Sequence, residues 1–254
     1  MVFARKRFGQ NFLQDDRIIE QIVGFLQTRP QDTVIEIGPG RGALTKLLLA
    51  RLDILHVIEI DNDLFAQLKH LPFSHKLNAV NADVLKVDFN QFGEKLKIIG
   101  NLPYNISTPL MFHLLKYRQR IDDMVFMLQS EVVDKLTAPV SSADYGRLSV
   151  MFQYYCHVER LLDVPPYCFN PQPKVMSSVV ALHPKQQLET VSFEVLEQVV
   201  AKAFAMRRKT LANNFKGLLT QDDWQQLGLS SQMRAQDLRV DDFVSLAAYC
   251  SKIS

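Results

Sequence analysis

One stretch decides the fold of this chain: Thr33-Val-Ile-Glu-Ile-Gly-Pro-Gly-Arg-Gly-Ala-Leu44. Its β-branched first half predicts a buried strand over 33–37, and a helical pattern follows over 44–51. The glycines between them let the backbone pass close under a ligand, because a glycine has no Cβ that would collide with it. The string also satisfies G-x-G-x-x-A, so a dinucleotide site and a purely structural tight turn remain open alternatives.

Apolar runs and helical patterns alternate along the chain on the C-terminal side of this stretch. Further strands are predicted at 54–60, 77–80, 96–99 and 124–128, and helices at 64–68, 109–117 and 131–136. Such alternation predicts an α/β fold with a parallel sheet covered by helices on both faces. Two more β-rich runs, 158–164 and 175–182, are predicted to finish the sheet as an antiparallel pair.

The pattern changes after His183-Pro184. Helical spacing alone follows, at 193–204, 210–219, 222–227 and 240–249. We therefore predict two domains, an α/β domain over residues 1–184 and a small all-helical C-terminal domain over 185–254.

Composition excludes several classes of protein. The 254 residues are 47% apolar and 22% charged with a net charge of +2, which is typical of a globular protein and too weak a charge to indicate nucleic acid by itself. No run of about 18 apolar residues predicts a membrane span. The three cysteines, Cys156, Cys168 and Cys250, and the six histidines show no metal-ligand spacing. We expect no metal and a reducing cytoplasmic location.

Acidic residues follow two further strands of the predicted sheet. Glu59 ends the strand 54–60, where a carboxylate can accept hydrogen bonds from both ribose hydroxyls, and Asp61 is its rival. Asp83 ends the next strand, where it can accept from an adenine amine while the Val84 N–H reaches a ring nitrogen. These residues predict an adenosine-containing cofactor but do not separate NAD from S-adenosylmethionine. A solvated strand end or a turn cap is the plainer alternative for each acid.

The most telling motif is Asn101-Leu102-Pro103-Tyr104, which follows the strand predicted at 96–99. An adenine N6 amine is a poor nucleophile because its lone pair is delocalised into the ring. Two acceptors on its N–H bonds, the Asn101 side-chain oxygen and a backbone carbonyl such as that of Leu102, pull it toward tetrahedral geometry. Pro103 stiffens the turn, and Tyr104 offers a face for a flipped base and for a nearby sulfonium. The motif predicts methyl transfer to an adenine amine by positioning, without a strong general base.

Two further segments fit a nucleic-acid substrate. Phe169 opens the stiff loop Phe169-Asn-Pro-Gln-Pro-Lys-Val175, where its ring can stack on the second face of the base or simply pack on the core. Arg207, Arg208 and Lys209 form a basic run that can contact RNA phosphates or remain a solvated face. Smaller basic clusters lie at 5–7 and 116–120.

Taken together, these motifs resemble the ribosomal RNA adenine N6,N6-dimethyltransferase family, most closely its bacterial 16S branch, whose loss gives kasugamycin resistance. The resemblance covers nearly the whole chain, from Phe8-Gly-Gln-Asn-Phe-Leu13 through Asn101-Leu-Pro-Tyr-Asn-Ile-Ser107 to Arg207-Arg-Lys-Thr-Leu211. It implies a class I S-adenosylmethionine-dependent methyltransferase, Rossmann-like with a seven-stranded sheet, whose helical C-terminal domain recognises RNA or the ribosomal subunit. The cofactor residues implied by the resemblance are Asn11, Leu13, Gly38, Glu59, Asp83 and Asn101.

The resemblance also implies the reaction. Two adjacent adenosines in the loop of the 3′-terminal hairpin of 16S rRNA would each receive two methyl groups, and four S-adenosylmethionine molecules would become S-adenosylhomocysteine. The substrate would be the 30S subunit late in its assembly, and the enzyme a monomer that binds no DNA. A 23S rRNA adenine methyltransferase, an NAD-dependent dehydrogenase and a non-catalytic RNA-binding assembly factor remain alternatives. Gly9 and the string over 207–211 favour the 16S branch, and Asn101 with Tyr104 argues for catalysis.

Overall fold

The computed structural model describes residues 10–186 and 190–253. These residues divide into two compact units. The first contains the described residues up to Val133 together with Glu159–Pro184, and the second contains Asp134–Val158 together with the described residues from Lys185 onward. Within the described part of the chain, no helix combines the length and the apolar character that crossing a membrane requires.

Seven strands form one mixed sheet in the order β4-β3-β2-β5-β6-β9-β7. Strands β2 to β6 pair in parallel, and β9 is antiparallel to β6, which confirms the predicted α/β class. The two late β-rich runs are neighbours in this sheet, as β9 and β7. Strands β1 and β8 form a separate antiparallel pair. The strands are β1 (Phe12–Leu13), β2 (Val34–Ile37), β3 (Leu55–Glu59), β4 (Leu77–Asn81), β5 (Leu96–Asn101), β6 (Ile121–Gln129), β7 (Cys156–Val164), β8 (Phe169–Asn170) and β9 (Ser177–Pro184).

Helices follow most of the strands, and four of those helices were expected from the pattern. Helices α1 and α2 pack against each other and share a hydrophobic cluster with β2 and β3, because parallel strands need apolar cover on their faces. The helices are α1 (Asp16–Phe25), α2 (Ala43–Arg51), α3 (Asn62–Leu68), α4 (Ser107–Leu115), α5 (Ser130–Thr137), α6 (Arg147–Tyr155), α7 (Phe193–Ala203), α8 (Leu211–Asn214), α9 (Gln221–Gln226) and α10 (Val240–Ile253).

Two helices, α1 and α6, lie outside the predicted elements. Helix α1 carries ordinary signals: Asp15 caps it by accepting from two backbone N–H groups, and Ile19, Ile22 and Val23 are buried at helical spacing. Helix α6 gives no such stripe, because six of its nine residues are buried and no polar face marks its period.

The second unit contains more of the chain than the predicted C-terminal domain over 185–254. The break after Pro184 is present, but Asp134–Val158 belongs with the helical unit because α6 packs on α7 and α10. The rings of Tyr155 and Phe193, for example, lie 5.7 Å apart. The helix predicted over 210–219 is also wrong in extent: α8 ends at Asn214, and Gly217 adopts a φ of +81° that a continuing helix excludes.

Candidate active site

A cavity of about 980 Å³ opens where β2, β3 and β5 end, within the first unit. Its volume is at the upper end of the roughly 300–1,000 Å³ typical of small-molecule sites, and its place follows the rule that open α/β sheets bind ligands beyond the carboxyl ends of their strands. Nine of the ten predicted cofactor and catalytic residues line it: Asn11, Leu13, Gly38, Glu59, Asp83, Asn101, Leu102, Pro103 and Tyr104.

The glycine loop after β2 is tied to the end of β3 and covered by the N-terminal segment. Gly40 has a φ of +59°, and a Cβ there would lie 3.3 Å from two ring carbons of Phe12. Its N–H donates to Glu59 Oε2 at 3.1 Å. The Arg41 guanidinium lies 4.3 Å from the centroid of the Phe12 ring. A side chain at position 40 would strain this left-handed backbone and press on the Phe12 ring, and a glycine avoids both costs.

Of the two rival carboxylates after β3, Glu59 lines the cavity and Asp61 does not. Asp61 caps α3 by accepting from the N–H groups of Asp63 and Leu64, and its other oxygen accepts from Gln10 Nε2 at 3.2 Å. Glu59 accepts two backbone hydrogen bonds: Oε2 accepts from the Gly40 N–H, and Oε1 accepts from the Asp61 N–H at 2.9 Å. Burial raises the pKa of Glu59, while these backbone hydrogen bonds oppose the rise.

A second buried carboxyl group, that of Glu36, lines the same cavity although it had no predicted role. Among the described residues, its Oε2 meets no hydrogen-bond partner. Burial raises the pKa of Glu36 to about 8, and the nearby Glu59 carboxylate adds to the rise. The signal for it was present in the sequence, since an acid inside the apolar run Val34–Ile37 is rarely buried without a use.

Asp83 lines the cavity at the end of β4. Its Oδ1 accepts from the Leu85 N–H at 3.1 Å and so caps a single 3₁₀ turn, Val84–Lys86. The Val84 N–H stands at the first position of that turn, where the turn itself makes no use of it. The contacts of Asp83 and the Val84 N–H with an adenine stay a prediction.

The Asn101 side chain is oriented by the N-terminal segment of the chain. Its Nδ2 donates to the Asn11 carbonyl oxygen at 3.0 Å. Because a carbonyl oxygen only accepts, the amide nitrogen must face Asn11, and Oδ1 is the acceptor left for a ligand. The Leu102 N–H donates to Met127 O at 3.1 Å, which holds the turn that follows β5 against β6.

Tyr104 is half-buried and lines the cavity. Its Oη lies 3.1 Å from Ser177 Oγ, a contact that no sequence pattern indicated. Burial raises the pKa of Tyr104, so the phenol keeps its proton at neutral pH.

Phe169 is the predicted site residue that the structure does not bring to the cavity. It is 3% exposed, pairs with Leu13 across the β1–β8 ladder, and packs in the hydrophobic cluster that contains Ile19. Packing on the core was the plainer of the two expectations for this residue. Its stacking on a base stays a prediction.

The predicted RNA-binding run lies in the second unit, in the turn between α7 and α8, where Arg207, Arg208 and Lys209 are exposed. Arg207 also donates to the carbonyl oxygens of Ala143 and Tyr145. The basic cluster at 5–7, like Phe8 and Gly9, lies outside the described residues. Within the described residues no group of three His, Cys, Asp or Glu side chains is arranged to hold a metal ion.

The sequence profile described as ribosomal RNA adenine dimethylase matches residues 1–252. The chain belongs to the ribosomal RNA adenine dimethylase family. Among similar members of this family, a protein of Legionella pneumophila is 53% identical over 250 residues, covering 97% of this chain and 98% of that protein. One of Thiobacillus denitrificans is 51% identical over 247 residues, with 96% and 97% covered. Both are named ribosomal RNA small subunit methyltransferase A.

Solved structures agree with the dimethylase assignment. A dimethyladenosine transferase from Plasmodium falciparum matches with a TM-score of 0.81 and 27% identity, covering 92% of this chain and 95% of that one. The 23S rRNA methyltransferase ErmE matches with a TM-score of 0.72 and 25% identity, covering 95% and 100%. The fold is therefore that of a class I methyltransferase, and the dehydrogenase interpretation of the glycine loop is set aside.

Proposed function

We propose that this dimethylase uses S-adenosylmethionine to dimethylate N6 of two adjacent adenosines in the loop of the 3′-terminal hairpin of 16S rRNA. The substrate is the 30S subunit late in its assembly, in the cytoplasm, and the enzyme acts as a monomer without a metal. The observation that carries the proposal is the Asn101 amide, held by Asn11 so that its oxygen is available in the cavity that Tyr104 also lines. The names of the two bacterial relatives support the small subunit as the target.

The cavity residues fit S-adenosylmethionine. Each Glu59 oxygen already accepts one backbone N–H and retains a second acceptor site, which suits a pair of ribose hydroxyls. Asp83 and Val84 suit the adenine, and Asn11 and Leu13 close over the site. When bound, the cofactor supplies an electrophilic methyl group on a cationic sulfonium.

The chain's own groups prepare the adenine amine. Asn101 Oδ1 and the Leu102 carbonyl oxygen accept hydrogen bonds from the two N–H groups of the amine. This turns the nitrogen lone pair out of conjugation with the ring. Tyr104 stacks on the base, a contact worth about 1–3 kcal/mol. Alignment of this kind supplies about 7–11 kcal/mol of a barrier, so no general base is required before transfer. The proton leaves the amine afterwards.

The test is methyl transfer from labelled S-adenosylmethionine to undermethylated small ribosomal subunits, with large subunits in a parallel reaction, followed by nucleoside analysis. We expect N6,N6-dimethyladenosine in 16S rRNA alone. Label in 23S rRNA alone would move the target to the large subunit, the activity named for ErmE. An absence of label in both, from protein that binds the cofactor, would overturn the proposal.

A further inference from the structure

Ser177 holds the aromatic residue of the catalytic motif although it does not line the cavity itself. It is 1% exposed, and its Oγ lies 3.1 Å from Tyr104 Oη. Of the two hydroxyl-bearing residues, only Tyr104 lines the cavity. The hydrogen bond to Tyr104 therefore gives Ser177 a direct route to the cavity.

The start of β9 fixes Ser177 in space. Ser177 is paired with Gln129 across the β6–β9 ladder, and the preceding carbonyl, that of Met176, accepts from the Ser130 N–H at 3.0 Å. The sheet on one side and this backbone hydrogen bond on the other leave the backbone at Ser177 little freedom to move.

The neighbouring Ser178 strengthens the same anchor. Its Oγ lies 2.7 Å from Ser130 Oγ, donates to Asp163 Oδ1 at 2.6 Å and accepts from an Arg160 guanidinium nitrogen at 2.9 Å. Ser178 makes no contact with Tyr104 among these bonds. The two adjacent buried serines therefore serve different partners, and this difference supplies a matched control.

We propose that Ser177 is a positioning residue for methyl transfer, whose hydroxyl fixes the position of the Tyr104 ring on which the target adenine stacks. The inference rests on the proposed function, because it takes Tyr104 as the platform for the base. Stacking requires the tyrosine ring to stand at a set position against the base. Because Oη lies on the χ2 axis, a hydrogen bond at Oη leaves rotation about χ2 possible but restrains χ1, and with it the place of the ring in the cavity. Without this hydrogen bond, the ring samples positions in which the amine is misaligned.

A double-mutant cycle of Ser177→Ala and Tyr104→Phe tests the proposal, since both changes remove the same hydrogen bond and keep the aromatic ring. At saturating RNA and cofactor, we expect each single variant to lower kcat about 5-fold, as the loss of one neutral hydrogen bond would. The double variant should also be about 5-fold slower, because the bond is lost only once. Cofactor Kd should be unchanged in all three variants.

A 25-fold loss in the double variant, or full kcat in either single variant, would overturn the role of Ser177. The matched control is Ser178→Ala. When it is combined with Tyr104→Phe, the fold-loss in kcat should equal the product of the two single losses, because the two changes are independent. If Ser177→Ala does not fold, Ser177→Cys fills the same space with a weaker partner, and its fold-loss should not multiply with that of Tyr104→Phe. Failure of the wild-type protein to methylate 16S rRNA would instead refute the proposed function.

Discussion

A single methyl group added at Gly100 should disable the active site without removing any of its residues. Gly100 lies in β5 immediately before Asn101, and a Cβ there would stand 2.6 Å from the Ile37 carbonyl oxygen of β2 and 3.0 Å from Leu102 Cδ2. Ordinary contact begins at 3.4 Å, so the end of β5 must move from β2 by about 0.8 Å. The closest obstacle is backbone, which cannot rotate away as a side chain can.

This displacement sets the expected magnitudes for Gly100→Ala. Forcing extra volume into a packed interior costs about 1–3 kcal/mol, and we expect the free energy of unfolding to fall by about 2 kcal/mol. The shift is passed directly to Asn101, whose amide meets the target nitrogen in the proposed reaction. A misplacement of about 1 Å costs about 100-fold in rate, so we expect kcat to fall about 100-fold.

The assay for Gly100→Ala pairs urea unfolding, followed by circular dichroism, with single-turnover methyl transfer at a temperature where the variant is fully folded. Gly24→Ala is the control, because Gly24 is exposed in α1 and a Cβ there meets nothing within 4 Å. That variant should keep wild-type kcat and gain up to about 1 kcal/mol from higher helix propensity. A kcat within 2-fold of wild type for Gly100→Ala would refute the argument that strand contact places Asn101.

Three further predictions concern charge and hydrogen bonding. Asn101→Ala should lower kcat about 10²–10³-fold while weakening cofactor binding only modestly. Asn101→Asp keeps an acceptor but loses the donor to Asn11, so its kcat should lie between those of the wild type and the alanine variant. Unchanged turnover in the alanine variant would contradict the role of Asn101. The pKa of Glu36 is about 8 in the folded protein and 4.5 in the unfolded chain, so unfolding releases a proton between these pH values. The stabilisation that Glu36 contributes is therefore full below pH 4.5 and is lost as the pH rises through 8. Glu36→Gln should therefore flatten the fall in unfolding free energy over that interval, measured by urea titration at each pH, and curves parallel to wild type would argue against it. Neutralising Arg207–Lys209 should reduce the slope of log Kd for RNA against log salt by about two, and an unaltered slope would exclude phosphate contacts by this run.

Much of the cavity could be predicted because its residues occupy strand ends. Alternating apolar runs locate the ends of β2, β3 and β5, and the carboxyl ends of parallel strands share one edge, so Gly38, Glu59 and Asn101 had to meet there. The choice between Glu59 and Asp61 was also within local reach. An Asp before Asn62-Asp63 and a helical pattern is a standard N-cap, which occupies Asp61 with α3.

The remaining features depend on contacts between distant parts of the chain. Ser177 meets Tyr104 across 73 residues, and no pattern local to either residue indicates that pairing. Phe169 is buried because β8 pairs with β1, a two-residue ladder too short to leave a periodicity. Helix α6 was not predicted, because burial on nearly all sides removes the polar face by which a surface helix is identified. Its residues were therefore assigned to the α/β domain that surrounds them in the sequence.

The β1–β8 ladder also bears on how the site is renewed between turnovers. It joins Phe12–Leu13 to Phe169–Asn170, with a further hydrogen bond of 2.8 Å from the Gln14 N–H to Cys168 O, while the same N-terminal segment supplies Asn11 to the cavity. So short a ladder is marginal by itself, and burial of Phe12, Leu13 and Phe169 supplies the stability that its few hydrogen bonds do not. An enzyme that methylates the same nitrogen twice must exchange spent for fresh cofactor between rounds. A ladder anchored by buried side chains keeps Asn11 at the cavity from one round to the next, as the seven-stranded sheet does for the turn that follows β5.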